Sequence, residues 1–311
     1  MRCFVANSAS GFELQSEPVR KDSPWPRRAP FALAPTHDVD RVRKTYQYVT
    51  HLRTRGGWSR FSTLFRGENP YWNFERIMDL ERSLDIRSTF YFLEESRRLA
   101  TSRPREWALA VGKYQFRETP IADAIHRLDR LGWEVGLHGS YDSYRNPELL
   151  AREKRALEDV VGHPVVGIRQ HYLNLEIPGT WELHRKAGFR YDASLGHRDR
   201  VGLETLPKFP IAPLGDDFLV LPLAIMDGAL FSTCRTEAQA RTRITEVYDA
   251  ATRDHALVVV LWHQRFVNPE EFPREHGVYA FGLAEAVRRG AWIAPAQDVA
   301  EWWRTQGLGS S

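Results

Sequence analysis

From about residue 70 onward, short aromatic or β-branched runs alternate with longer segments whose apolar residues recur every three or four positions. That rhythm leaves few folds open. Phe74, Ile77, Met78, Leu80 and Leu84 lead at helical spacing into the strand-like run Ile86 to Leu93. A helical pattern from Ile121 to Leu131 and then Gly132 precede Trp133 to His138, and a helix from Pro147 to Val161 precedes Val165 to Arg169. A third, near Pro178 to Ala187, stops at Gly188, a residue suited to a helix C-cap, before Phe189 to Asp192. Phe218 to Met226, a helix from Glu237 to Asp254, the run Leu257 to Trp262, and a last unit of Trp292 to Ala294 with a helix around Asp298 to Arg304 complete the series. With Phe31-Ala32-Leu33 as a first strand, this predicts βαβ units, a parallel sheet and helices outside it. Seven or eight parallel strands suggest closure into an α/β barrel. No segment repeats another in sequence at a fixed period.

The chain has 311 residues, enough for a sizeable core, and no abrupt composition shift divides it, which favours one domain. Residues 1–29 read as a surface lead-in punctuated by Pro24 and Pro26 with Trp25 packed down, 30–305 as the barrel, and 306–311 as a flexible tail. A net charge of +3 is small for this length and makes no demand for nucleic acid. The two cysteines, Cys3 and Cys234, exclude a disulfide framework and suit a reducing compartment. Residues 1–20 lack the apolar core of a signal peptide and no run is long enough for a membrane span, so a cytoplasmic protein is expected. Nothing in the sequence fixes the oligomeric state.

In parallel α/β folds, reactive groups gather at the carboxyl ends of strands. Here the first strand runs into Asp38 and Asp40, two apart and so on one side of an extended backbone. The third ends in His138, with Asp142 four residues on; the fourth ends in Arg169 and His171; later strands end in Asp227 and His263. An isolated D-x-D also serves as a helix-capping turn, and an isolated His138 as a hydrogen-bonded core residue. Five strand ends bearing Asp, His or Arg exceed what packing alone explains, and His with Asp is a donor set for a zinc-like divalent ion. If the turn after the third strand is helical, His138 and Asp142 share a face and a metal, with His171 the rival third ligand. His51, His163, His184, His255 and His276 lack such a context and read as structural or surface residues. The basic segment 41–69 is either a contact for an anionic substrate group or a solvated surface.

These motifs, met in order over about residues 30–300, resemble the polysaccharide deacetylases with the NodB homology domain, carbohydrate esterase family 4. Thr36-His37-Asp38-Val39-Asp40 looks like that family's T-F-D-D-G, His138-Gly139-Ser140-Tyr141-Asp142 like its H-[ST]-x-x-H, Arg169-Gln170-His171-Tyr172 like its R-x-P-Y, and Leu261-Trp262-His263 like its L-x-H. D-x-x-W is only weakly echoed around Asp192. The resemblance implies a distorted (β/α) barrel that hydrolyses acyl groups on sugars, with Asp38 as general base, Arg169 orienting it, and His263 as general acid. It implies a divalent metal, zinc first, on Asp40, His138 and either Asp142 or His171. Val39 and Asp142 depart from two of the family's ligand positions, as in a divergent branch carrying H-D-V-D, H-G-S, R-Q-H-Y and W-H.

The expected function is therefore metal-dependent removal of an N-acetyl or other acyl group from a carbohydrate or glycan precursor. Tyr141, Tyr172, Trp262 and Asp227 are candidate substrate contacts, and the loops 41–70 and 94–120 are expected to set substrate choice. Two other readings share these residues: hydrolysis of a non-sugar amide, formamide or cyclic imide, and a catalytically inactive carbohydrate-binding barrel.

Overall fold

The computed structural model describes residues 22–45, 69–95 and 112–307. Most of both loops expected to set substrate choice, including Arg53, Arg55, Arg60 and Arg66, lies outside the described residues.

The strands alternate side chains between two environments, as the period-2 geometry of a strand requires. In β1 (Ala32–Val39), Leu33 and Val39 join the core beneath the helices, while Ala32 and Ala34 join a second apolar cluster inside the curled sheet. In β2 (Thr89–Phe92), Phe90 and Phe92 face the helices and Tyr91 faces in. In β8 (Leu257–Leu261), Val258 and Val260 face out while Leu257, Val259 and Leu261 face in. Such near-continuous apolar strands mark a parallel sheet covered on both faces.

The remaining strands are β3 (Glu134–Gly139), β4 (Gly167–Gln170), β5 (Tyr191–Asp192), β6 (Leu219–Val220), β7 (Leu223–Met226) and β9 (Trp292–Ile293). Eight strands run in the order β6-β5-β4-β3-β2-β1-β8-β7, every pair parallel, and short β9 pairs with the start of β1. β7 meets the segment after β5 where Leu223 N–H donates to Leu195 O at 2.7 Å, and the sheet curls into a distorted (β/α) barrel in one domain. Gly136, level with Tyr91, leaves the interior open for that ring: a Cβ there would sit 2.5 Å from it.

Among the described residues eight helices cover the sheet: α1 (Phe74–Ser83), α2 (Thr119–Arg130), α3 (Pro147–Val161), α4 (Gly179–Lys186), α5 (Asp227–Thr233), α6 (Glu237–Asp254), α7 (Pro273–Arg288) and α8 (Ala296–Thr305). Their ends follow local chemistry. Asn146 accepts from Leu149 N–H ahead of Pro147 in α3, and Gly162 closes that helix at φ +88°. Thr236 and Gln239 form a reciprocal capping box on α6.

Two differences from the sequence reading have local causes. Phe218 to Met226 divides into β6 and β7 at Leu221-Pro222, where proline has no N–H for the ladder. Helices α5 and α7 were not anticipated; α7 contains Gly277 and Gly282, which weaken a helical pattern, and it is held by packing on α6, with Tyr248 Oη donating to Gly282 O at 3.1 Å. At the amino-terminal end of the barrel Trp25 is buried against Phe209, Trp292 and Trp303, and donates to His255 O at 2.7 Å. Among the described residues no helix is long and apolar enough to cross a membrane.

Candidate active site at the carboxyl end of the barrel

The inward alternation that places Ala32 and Ala34 in the barrel carries Thr36 and Asp38 to its upper end, and Asp40 follows on the same side. From two and three strands away in the sheet, His138 on β3 and Arg169 on β4 reach the same space.

Arg169 is fully buried and its Nη1 donates to Asp38 Oδ1 at 2.9 Å and to Thr36 Oγ1 at 2.6 Å, while Nε donates to Ala193 O at 2.9 Å. Its guanidinium lies 4.6 Å from the centroid of the Tyr91 ring. Burial opposes the charge on Asp38, but His138, Arg169 and His263 outweigh it and hold the carboxyl below its usual range. Asp38 is thus held as a carboxylate, with Oδ2 3.6 Å from His138 Nε2.

Asp40 faces three imidazoles. Its Oδ1 lies 3.3 Å from His138 Nε2 and 3.9 Å from His171 Nε2, and its Oδ2 lies 3.3 Å from His263 Nε2. Arg265 Nη1 donates to Oδ2 at 3.2 Å. Burial again opposes the charge, and His263, His138 and His171 drive the carboxyl well below its usual range.

His263 follows β8, and Asp227, fully buried at the start of α5, accepts its backbone N–H at 2.6 Å and faces Nδ1 at 2.8 Å. That contact places the proton on Nδ1 and turns Nε2 into the site. Burial disfavours the charged ring, yet Asp227, with Asp40 behind it and against Arg265, raises His263 to about 10.

Donor atoms of Asp40, His138 and His171 all lie within 4.8 Å of one another. Zinc bound tetrahedrally at its usual bond lengths separates its ligand atoms by ~3.4 Å, close to the distances from Asp40 Oδ1 to the two rings. Asp40 Oδ1 is buried and has no hydrogen-bond donor among the described residues. His138 donates from Nδ1 to Arg169 O at 2.9 Å, leaving the Nε2 lone pair toward Asp40. One carboxylate and two imidazoles fit a divalent ion of the zinc class.

Asp142 does not join this group. The strand β3 continues through His138 to Gly139 and the following segment is a turn, so the two residues never share a helical face. Its carboxylate lies 3.7 Å from Arg145 instead. Trp262 is buried in the core between Phe231 and Tyr279, away from any rim position. Asp227 serves His263 rather than facing open space. Tyr172, 46% exposed, sits at the mouth with its ring edge-on to Tyr141 at 5.5 Å and 4.6 Å from His171. Its backbone is left-handed, φ 59°, as is Leu173 at φ 53°; this strained turn folds His171 back toward Asp40 while Tyr172 points out.

Sequence reasoning missed Arg265 and Glu95. Arg265 stands two residues beyond His263 in a short helical turn, a cue of position only. Glu95, just past β2, lies 3.6 Å from His171 Nδ1 through a contact 76 residues away in sequence, for which no local signal exists.

No protein-family model matches the chain, and no curated protein matches it. Solved structures do. A protein described as a polysaccharide deacetylase from Mycobacterium smegmatis aligns with TM-score 0.63 and 20% identity over 96% of this chain and 97% of its own. A second so described, from Pseudomonas aeruginosa, aligns with TM-score 0.62 and 15% identity over 91% and 94%. Puue allantoinase aligns with TM-score 0.61 and 16% identity over 92% and 94%. The chain has the polysaccharide-deacetylase fold of the NodB type.

Proposed function

We propose that the protein is a metal-dependent hydrolase that removes an N-acetyl or other acyl group from a carbohydrate. The observation that carries this reading is the placement of an ionised, arginine-held carboxylate and an aspartate-held imidazole on either side of one candidate cation site. Asp38 lies 3.6 Å from His138 and His263 lies 3.3 Å from Asp40, so each proton-transfer group borders a residue of that site. Asp40, His138 and His171 would hold a divalent ion, which when bound would supply Lewis-acid polarisation of the acyl carbonyl and a lowered pKa for a water.

The chain's own residues perform the proton transfers. Asp38 takes the proton of the attacking water, and Arg169 keeps the carboxylate ionised and aimed. His263 delivers a proton from Nε2 to the departing nitrogen, which an amide needs because an amide anion is a poor leaving group. Asp227 holds the ring in the required tautomer throughout. The Tyr172 backbone N–H is a candidate donor to the oxyanion, and Tyr141 with Tyr172 offers an aromatic edge for a sugar face.

The same apparatus suits a non-sugar amide or cyclic imide, a reading supported by the similar overlap of the barrel with an allantoinase, TM-score 0.61. An inactive carbohydrate-binding barrel has less support, because the Asp38–Arg169 and His263–Asp227 pairs add nothing to binding. The test is to compare Asp38→Asn and His138→Ala with wild type on N-acetylglucosamine oligomers and on allantoin, with zinc content measured for each. Asp38→Asn should abolish hydrolysis with its metal retained, and His138→Ala should lose the metal. Activity equal to wild type in both variants sinks the assignment.

A further inference from the structure

We propose that Glu95 is the positioning residue that makes His171 the third cation ligand; this rests on reading Asp40, His138 and His171 as the cation site. A histidine that binds a metal through Nε2 carries its proton on Nδ1 and needs an acceptor there, which fixes the ring and raises its basicity. Two of the three imidazoles around Asp40 show such an acceptor: Arg169 O for His138 at 2.9 Å, and Asp227 for His263 at 2.8 Å. His171 Nδ1 is buried with no hydrogen-bond partner among the described residues. The carboxylate before it is Glu95, with Oε2 3.6 Å away and a side chain only 2% exposed.

That gap exceeds a hydrogen bond by about half an ångström, a distance the His171 ring crosses by pivoting. Glu95 itself is anchored, because the same Oε2 accepts from Tyr141 N–H at 3.3 Å. Tyr141 O in turn accepts from Asn174 Nδ2 at 3.1 Å. One carboxylate thus fastens the segments after β2, β3 and β4 together behind the metal ligand. Asp142, four residues beyond His138, is thereby dispensable: the third ligand is supplied by the turn after β4, and its supporting acid by the segment after β2.

The experiment is zinc affinity by chelator competition on the full chain, prepared metal-free, for wild type, Glu95→Ala, Glu95→Gln, His171→Ala and the Glu95→Ala/His171→Ala double variant. Glu95→Ala is expected to weaken zinc binding by roughly 10- to 100-fold, the usual effect of removing such a partner. Glu95→Gln, whose amide oxygen still accepts from Nδ1–H, should lose less. In the His171→Ala background the Glu95 substitution should cost no further affinity. An affinity for Glu95→Ala within about twofold of wild type overturns the proposal, as does the same loss persisting without His171. If Glu95→Ala does not fold, as judged by its metal-free melting curve, Glu95→Gln carries the same comparison between the two backgrounds. Wild-type protein that binds no stoichiometric zinc overturns the cation reading itself, an outcome distinct from zinc-binding wild type with an indifferent Glu95.

Discussion

Replacing Arg169 with Met removes the charge that Asp38 depends on while keeping an unbranched apolar stem. In the native barrel Arg169 is wholly buried and Asp38 is 3% exposed. The guanidinium makes three hydrogen bonds, to Asp38, Thr36 and Ala193. Removing one partner of such a buried pair usually costs about 3–5 kcal/mol, and here it leaves the Asp38 charge facing only His138 and His263, which places the expected loss at the lower end, about 3 kcal/mol. Asp38→Asn is milder, on the order of 1–2 kcal/mol, because the amide oxygen still accepts from Nη1. In the double variant no charge is stranded, so the two costs should fall short of adding by about 2 kcal/mol. The assay is urea denaturation of metal-free protein in chelator, which keeps ligand binding from adding stability of its own. A loss below about 1 kcal/mol for Arg169→Met, or costs that simply add, refutes the reading of Arg169 and Asp38 as an interdependent pair.

Asp142→Ala should leave zinc stoichiometry and affinity unchanged, whereas His171→Ala should lower affinity at least tenfold, read by chelator competition; the opposite order restores Asp142 as the ligand. Tyr172→Ala should raise KM on N-acetylated oligomers several-fold with kcat little altered, since its ring lies at the mouth; a lost kcat instead places it in the chemistry. Glu134 gives a pH effect far from the site. Burial pushes its carboxyl up to about 7 despite hydrogen bonds from Thr89, Tyr191 and Gln297 N–H. A raised folded-state pKa contributes stability that is fully present below the usual value of 4.5 and lost as pH rises through 7. At about 1.36 kcal/mol per pH unit the swing is about 3 kcal/mol. Glu134→Gln should therefore gain stability over wild type by about that much more at pH 8 than at pH 5, measured by urea unfolding; an unchanged difference between the two pH values contradicts the shift.

The parts of the fold legible in the sequence were those set by short-range periodicity. Pro147–Val161 and Glu237–Asp254 have the same limits in the sequence reading and in the structure, because each carries an apolar stripe and local caps. The two-residue alternation of β1 similarly carries Asp38 and Asp40 to one side. Where a helix depends on tertiary packing, as α7 does against α6, the glycines in its own sequence obscure it. The site divides in the same way. Asp38, Asp40, His138, Arg169 and His263 were visible as polar interruptions at strand ends, which the barrel then gathers. Choosing between Asp142 and His171 required the local backbone: β3 stays extended past His138, and the left-handed turn at Tyr172 and Leu173 folds His171 inward. Arg265 and Glu95 bear on Asp40 and His171 across long stretches of chain, where spacing carries no information.

The central claim, metal-dependent acyl hydrolysis, is tested most directly by measuring acetate released from N-acetylglucosamine oligomers by wild-type protein as purified, after chelation, and after zinc is returned. The account predicts release that stops on chelation and recovers with one zinc per chain. Release undiminished in chelator, or none by fully zinc-loaded protein from any N-acylated substrate, contradicts it.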